Sequence, residues 1–95
     1  MKMAWTKLAL QDLHHIWEYV AAENPTAATG IMEMIDKATR SLLSYPNLGH
    51  SGRIKGTKEL MVAGTPYVIP YRLKRGTIEI LAVIHSSRRF SETLR

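Results

Sequence analysis

Three polar residues in the C-terminal half of the chain have side chains that could do chemistry together: Glu59, Arg72 and His85. A histidine titrates near neutrality and can transfer protons, and a guanidinium group matches the oxygens of a phosphate. Grouped on one surface, the three would suit proton transfer beside a bound phosphate. An isolated histidine at a strand end is more often structural or solvent-exposed, and the spacing alone leaves both interpretations open.

The segment that carries these residues, Gly56 to His85, is predicted to form three strands joined by turns at "AGTP" and "KRGT". Side chains in a strand alternate between the two faces of a sheet, so an apolar set is expected against the rest of the fold. That set is Leu60, Val62, Tyr67, Ile69, Tyr71, Leu73, Ile78, Ile80, Ala82 and Ile84. The opposite face is then predicted to hold the three polar residues, with Met61, Val68, Leu81 and Val83 between them. Pro70 cannot donate a ladder hydrogen bond, which predicts a free strand side or a bulge there.

Two helices precede the strands. Thr6 can cap a helix over 7–22, and Asn24 followed by Pro25 favours a second helix over 25–44, which Tyr45-Pro46 should end. Alternating apolar residues in "MKMAW" predict a short strand before them. The predicted fold is α+β, in the order β-α-α-β-β-β, as one domain over 1–95. A helical hairpin covers one face of a twisted, mainly antiparallel sheet.

The 95 residues carry a formal net charge of +5, which favours acidic or polyanionic partners, although scattered surface bases can also serve solubility. The bases concentrate in the strand half, where they outnumber Glu59, Glu79 and Glu92. They are Arg53, Lys55, Lys58, Arg72, Lys74, Arg75, Arg88, Arg89 and Arg95.

Several classes of protein are disfavoured by what the sequence lacks. There is no cysteine, and His14-His15 point about 100° apart on a helix, so we expect no metal site. The nucleotide-binding and hydrolase motifs are absent, and no cofactor is predicted. No apolar run approaches the roughly 20 residues of a membrane span, so we predict a cytoplasmic protein without a membrane partner.

The predicted face away from the helices is apolar in its middle, which is typical of a binding surface. An amphipathic partner segment could cover Met61, Val68, Leu81 and Val83, with the basic rim attracting its acidic residues. Alternatively, the chain's own C-terminal segment covers Leu81 and Val83 with Phe90 and Leu94.

The order of elements, together with four stretches of sequence, resembles the RelE/ParE family of bacterial toxins from type II toxin-antitoxin modules. The stretches are "ALQDLHHIWEYVAAENPTAA", "LLSYPNLGHSGRIKGTKELMV", "TPYVIPYRL" and "IEILAVIHSSRRF". The resemblance spans nearly the whole chain, and it implies a toxin that inhibits growth until a cognate antitoxin neutralises it.

The family has two branches with different targets. RelE-like members are enzymes that cut mRNA on the ribosome with basic residues of the sheet, which would make Arg72 and His85 catalytic. ParE-like members poison DNA gyrase without a nuclease site. The stretch "GTKELMVAGTPYVIPYR" is more similar to the ParE side, and Phe90 lacks the hydroxyl that the nucleases often place there, so a ParE-like toxin is predicted.

The resemblance also implies surfaces for the two partners. Candidates for target binding are Arg53, Lys55, Glu59, Arg88, Arg89 and Phe90. Candidates for antitoxin binding are Met61, Val68, Leu81 and Val83. The alternatives to a gyrase poison are a ribosome-dependent mRNA endonuclease and a basic nucleic-acid-binding module without toxicity.

Overall fold

The computed structural model describes residues 1–87. Two helices and six strands follow one another in the order β1 (Lys2–Trp5), α1 (Lys7–Ala21), α2 (Pro25–Ser44), β2 (His50–Ser51), β3 (Lys58–Met61), β4 (Tyr67–Lys74), β5 (Thr77–Ile80) and β6 (Ile84–His85). The sheet order is β1-β5-β4-β3-β2, and β6 pairs with β4. Only β1 and β5 run parallel among these pairs. The predicted α+β fold is confirmed, with a short β2 added and the last predicted strand divided in two.

The two helices begin at the capping residues that the sequence predicts. The Thr6 hydroxyl accepts a hydrogen bond from the Ala9 N–H at 3.1 Å, and the Asn24 side chain accepts one from the Ala27 N–H at 3.0 Å. Both bonds satisfy donors that have no partner within the first turn of a helix. The hairpin is therefore specified locally, and α1 ends one residue earlier than predicted.

The main core lies between the helices and one face of the sheet. Its strand residues belong to the predicted apolar set, and its helix residues include Ala9, Ile35 and Leu42. The buried strand residues are Leu60, Val62, Tyr67, Ile69, Tyr71, Ile78 and Ile80. Alternation therefore predicted the helix-facing side correctly from β3 through to the end of β5, except that Leu73 of the predicted set is 42% exposed near the end of β4 and does not pack in the core. The opposite side is called the second face below.

After β5 the pairing with β4 shifts by one residue. Tyr71 faces Ile80, but four residues back along β4, Tyr67 faces His85. One extra residue therefore lies between β5 and β6, opposite the part of β4 that contains Pro70. The Leu81 N–H donates to the Pro70 carbonyl at 2.9 Å, and Pro70 has no N–H to return. This is a β-bulge, which confirms one of the two outcomes predicted for Pro70.

A shift of one residue moves every later side chain to the other face, so four predicted placements are wrong. Val83 is buried in the main core on the helix side, and its N–H donates to the Asp12 carboxylate of α1 at 3.0 Å. Ala82 and Ile84, predicted against the helices, instead pack with Val68. His85 lies opposite Tyr67 and so shares the helix-facing side.

The second face is partly covered by the chain itself. Leu8 and Ile54 pack against Val68, Ala82 and Ile84, so that Val68 is only 3% exposed. Ile54 belongs to the loop between β2 and β3, which folds across this face. The alternative cover predicted from Phe90 and Leu94 lies outside the described residues. A smaller apolar cluster therefore exists where an open surface was expected.

Candidate functional site

The structure places Arg72 on the second face, beside a cleft of about 400 Å³. Its Nε donates to the Glu79 carboxylate, which stands directly opposite on β5. Lys55 and Leu81 line the same cleft, together with Ile54. The site is thus a basic, partly apolar groove in which one of the two cations is already paired. It can attract an anion, and its apolar wall can receive a hydrophobic side chain.

Glu59 also lies on the second face, but it is buried at 2% exposure. Its Oε2 accepts the backbone N–H of Arg53 at 2.8 Å, and its Oε1 lies 3.4 Å from the Nε of Arg53. Within the loop, the Gly52 N–H donates to the Thr57 carbonyl at 2.8 Å, and a Cβ on Gly52 would lie 2.2 Å from the Thr57 hydroxyl. Glu59 therefore fixes the loop that carries Lys55, and it is not placed to touch a target itself.

Replacing Glu59 with glutamine tests this positioning role. The amide keeps the size and an acceptor for the Arg53 N–H but removes the charge, so we expect the free energy of unfolding to fall by about 1–2 kcal/mol. Exchange of the Arg53 amide proton should become faster. Glu79→Gln is the matched control, because its partner Arg72 is exposed and such pairs contribute only about 0–1 kcal/mol. Equal losses from both variants, in urea unfolding, would contradict the role.

His85 lies away from both of these residues, on the helix-facing side of the bulge. Its ring is nearly perpendicular to the Tyr67 ring, with centroids 5.8 Å apart, and its Nδ1 accepts the Ser87 N–H at 3.2 Å. It lines a separate cleft of about 730 Å³ between α1 and β6, with Asp12 and His15 among the other residues. The prediction that Glu59, Arg72 and His85 share one face is therefore wrong for His85. Pro70 was the sequence signal that could have located the break.

The remaining candidates are scattered over the fold. Met61 is 64% exposed at the end of β3, and Leu81 is half-buried at the groove beside Arg72. Val68 lies beneath Leu8 and Ile54, and Val83 faces the helices. Arg53 and Lys55 are exposed on the loop. Arg88, Arg89 and Phe90 lie outside the described residues, so Met61, Leu81, Arg53 and Lys55 are the ones among these remaining candidates that the structure leaves accessible.

Among residues 1–87, no group of three or more histidine, aspartate or glutamate side chains could hold a metal ion. None of the helices in the same part of the chain is long and apolar enough to cross a membrane.

The family model described as "ParE toxin of type II toxin-antitoxin system, parDE" matches residues 3–90. The protein Y4kP of Sinorhizobium fredii is 40% identical over 93 residues, which are 98% of this chain and 96% of that protein. Toxin RelE2 of Caulobacter vibrioides is 32% identical over 87 residues, which are 92% of this chain and 97% of that protein.

A solved structure supports the same relationship. A chain of the chromosomal ParDE toxin-antitoxin system from P. aeruginosa superposes with a TM-score of 0.80 at 26% identity, over 90% of this chain and 95% of that one. The resemblance predicted from the sequence is confirmed, and a cognate antitoxin is the partner that such a toxin has. The chain belongs to the ParE toxin family and is the toxin of a type II toxin-antitoxin system.

Proposed function

We propose that this toxin stops growth by binding DNA gyrase, and that it is not a ribosome-dependent nuclease. The observation that supports this is the bulge opposite Pro70. It sends His85 to the helix-facing side, whereas Arg72 and Lys55 remain at the groove on the second face. His85, the histidine predicted to be catalytic, is thus separated from the cations that would hold a phosphate. A protein-binding toxin needs no such pairing.

A nuclease is the second candidate function, and one observation favours it. Arg72 and Lys55 line the same groove, and cations placed together can stabilise the charge that develops on a phosphate. The Caulobacter relative bears the name RelE2, whereas the family model and the solved structure bear the ParE and ParDE names. The groove also fits an acidic protein segment, so its charge alone does not favour RNA.

Purified toxin added to a supercoiling assay and, separately, to ribosomes programmed with mRNA distinguishes these functions. We expect inhibited supercoiling and intact mRNA, and the His85→Ala variant should inhibit gyrase as strongly as the wild type. A catalytic His85 or Arg72 would instead make mRNA cleavage fall about a hundredfold on replacement by alanine. Cut mRNA with normal supercoiling would overturn the proposal. Salt-sensitive binding to any nucleic acid without growth arrest would indicate a generic binder.

The cognate antitoxin is proposed to bind the second face through an acidic, amphipathic segment. Met61 and Leu81 offer accessible apolar surface there, and Lys55 and Arg72 supply the positive rim. An antitoxin segment that folds on binding would gain affinity from the apolar area that it buries here, and the charges would fix its position along the surface. Val68 contributes only through the residues that cover it, and Val83 is not part of this surface.

A further inference from the structure

An exposed apolar patch lies where α2 ends, away from both clefts described above. Leu43, Tyr45 and Leu48 are 43%, 66% and 54% exposed, and they fall within six consecutive residues. Single exposed apolar residues are ordinary on protein surfaces, but a group on one turn marks an interaction site more often. These three residues are called the turn patch.

The turn that carries the patch is held by a tyrosine of the sheet. The Tyr71 hydroxyl donates to the Pro46 carbonyl at 2.8 Å and accepts the Gly49 N–H at 2.9 Å, and the Leu48 N–H donates to the Tyr45 carbonyl at 3.0 Å. Tyr71 is fully buried, and this burial raises the pKa of its phenol, while the bond from Gly49 opposes the rise. The phenol therefore stays protonated and donates to the turn at physiological pH.

Gly49 ends the turn at a position where a larger side chain would not fit. A Cβ at this position would lie 2.7 Å from Cε1 of Tyr71 and 2.8 Å from the carbonyl oxygen of Glu59. Real Cβ atoms do not approach other atoms so closely. Because the Glu59 carbonyl belongs to the backbone and cannot easily move, the turn requires glycine at this position. A partner that binds Tyr45 and Leu48 would meet them on a backbone already ordered, which lowers the entropic cost of association.

The stretch of sequence that carries the turn patch is basic. Between Asp36 and Glu59 the sequence contains five basic residues and no acidic one. Arg40 is paired with Asp36, and Arg53 is paired with Glu59. Of the other three, Lys55 lies at the groove of the second face, whereas Lys37 on α2 and Lys58 on β3 are bases without an ion pair among the described residues. The surface that complements this region is apolar at its centre and acidic around it.

We propose that the turn patch binds the toxin's protein target, through an apolar region of that target bordered by acidic residues. The inference rests on the proposed function, which makes that target DNA gyrase. The antitoxin is assigned to the other side of the sheet, because Leu81 and Met61 lie on the second face, whereas Tyr71, which holds the turn, belongs to the helix-facing core. Target and antitoxin therefore contact different surfaces of the toxin.

The test compares the Tyr45→Ala, Leu48→Ala double variant with Leu10→Ala, whose residue is 52% exposed on α1 and so matches Leu48. Binding of each full-length protein to purified DNA gyrase and to the cognate antitoxin is measured, with thermal unfolding as a check on folding. We expect the Kd for gyrase to rise about tenfold or more in the double variant. Its Kd for the antitoxin and its melting temperature should match those of Leu10→Ala.

The possible failures are distinguishable. If wild type and double variant bind gyrase equally, the turn patch is not the contact, and the proposed function stands. If the double variant loses gyrase and antitoxin by the same factor, the assignment of separate surfaces is overturned. If the wild type does not bind gyrase at all, the proposed function is wrong, and gyrase is not the partner of the turn patch.

Discussion

Replacing Leu81 with glutamate is expected to weaken the complex with the cognate antitoxin about a hundredfold, equivalent to about 2.7 kcal/mol. Leu81 is half-buried in the free toxin and lines the groove beside Arg72. An apolar antitoxin side chain placed against it would remove the new carboxylate from water, and a pairing of that carboxylate with Lys55 would take away a cation that attracts the acidic antitoxin. Burying a charge is costly in either case, so most of the effect should appear as faster dissociation.

Lys74→Glu is the control for this prediction. Lys74 is exposed at the end of β4, also on the second face but outside the groove, and it should act as a rim charge. Changing a rim charge mainly alters the association rate and its salt dependence. The dissociation constants and rate constants of both variants can be measured by surface plasmon resonance. Equal weakening would mean that Leu81 is not buried by the antitoxin and that the groove only attracts it electrostatically.

Much of the fold could be predicted because its signals are local. Thr6 and Asn24 cap the two helices in the way that their side chains allow, and Pro25 and Pro46 mark a beginning and an end. The alternation from Leu60 to Ile80 correctly gave the face that meets the helices. Each of these features depends on residues within one or two turns of a helix, or on neighbours in one strand, so the sequence contains what determines it.

The candidate site could be predicted less well because it depends on pairing between strands. Pro70 indicated a bulge or a free side, but the position of the extra residue depends on what β4 meets across the sheet. Leu81 still faces the groove, yet Val83, two residues later, faces the core. Alternation alone would keep both on one face. This error affected the functional prediction. It placed His85 beside Arg72, and so it favoured a nuclease more than the structure does.

The burial of Glu59 was missed for a related reason. A charged residue in a strand with one open face is expected in solvent, and nothing local indicates that a loop will fold over it. The cover comes from the loop 52–57, which precedes β3 and folds back over the sheet, bringing the Arg53 N–H to the carboxylate. Only the glycines of that loop suggested a tight bend, and they did not indicate its direction.

The bulge itself can be tested by its largest energetic consequence, the position of Val83. Alternation would place this side chain with Leu81 on the second face, where a glutamate would be tolerated. In the structure Val83 is 5% exposed within the main core, and its N–H is bound to Asp12. Val83→Glu would therefore place a carboxylate within the main core and close to that of Asp12, with like charges beside each other.

We expect Val83→Glu to lower the free energy of unfolding by about 3 kcal/mol or more, which for a chain of this size corresponds to a melting temperature lower by roughly 12 °C or more. Leu81→Glu, two residues earlier, should cost about 1 kcal/mol, because its side chain can turn into the groove and reach water. Urea and thermal unfolding of the two variants, followed by circular dichroism, measure the difference. A Val83→Glu protein as stable as Leu81→Glu would mean that the strand continues without a bulge, and then His85 would return to the face of Arg72 and the nuclease would regain its general base.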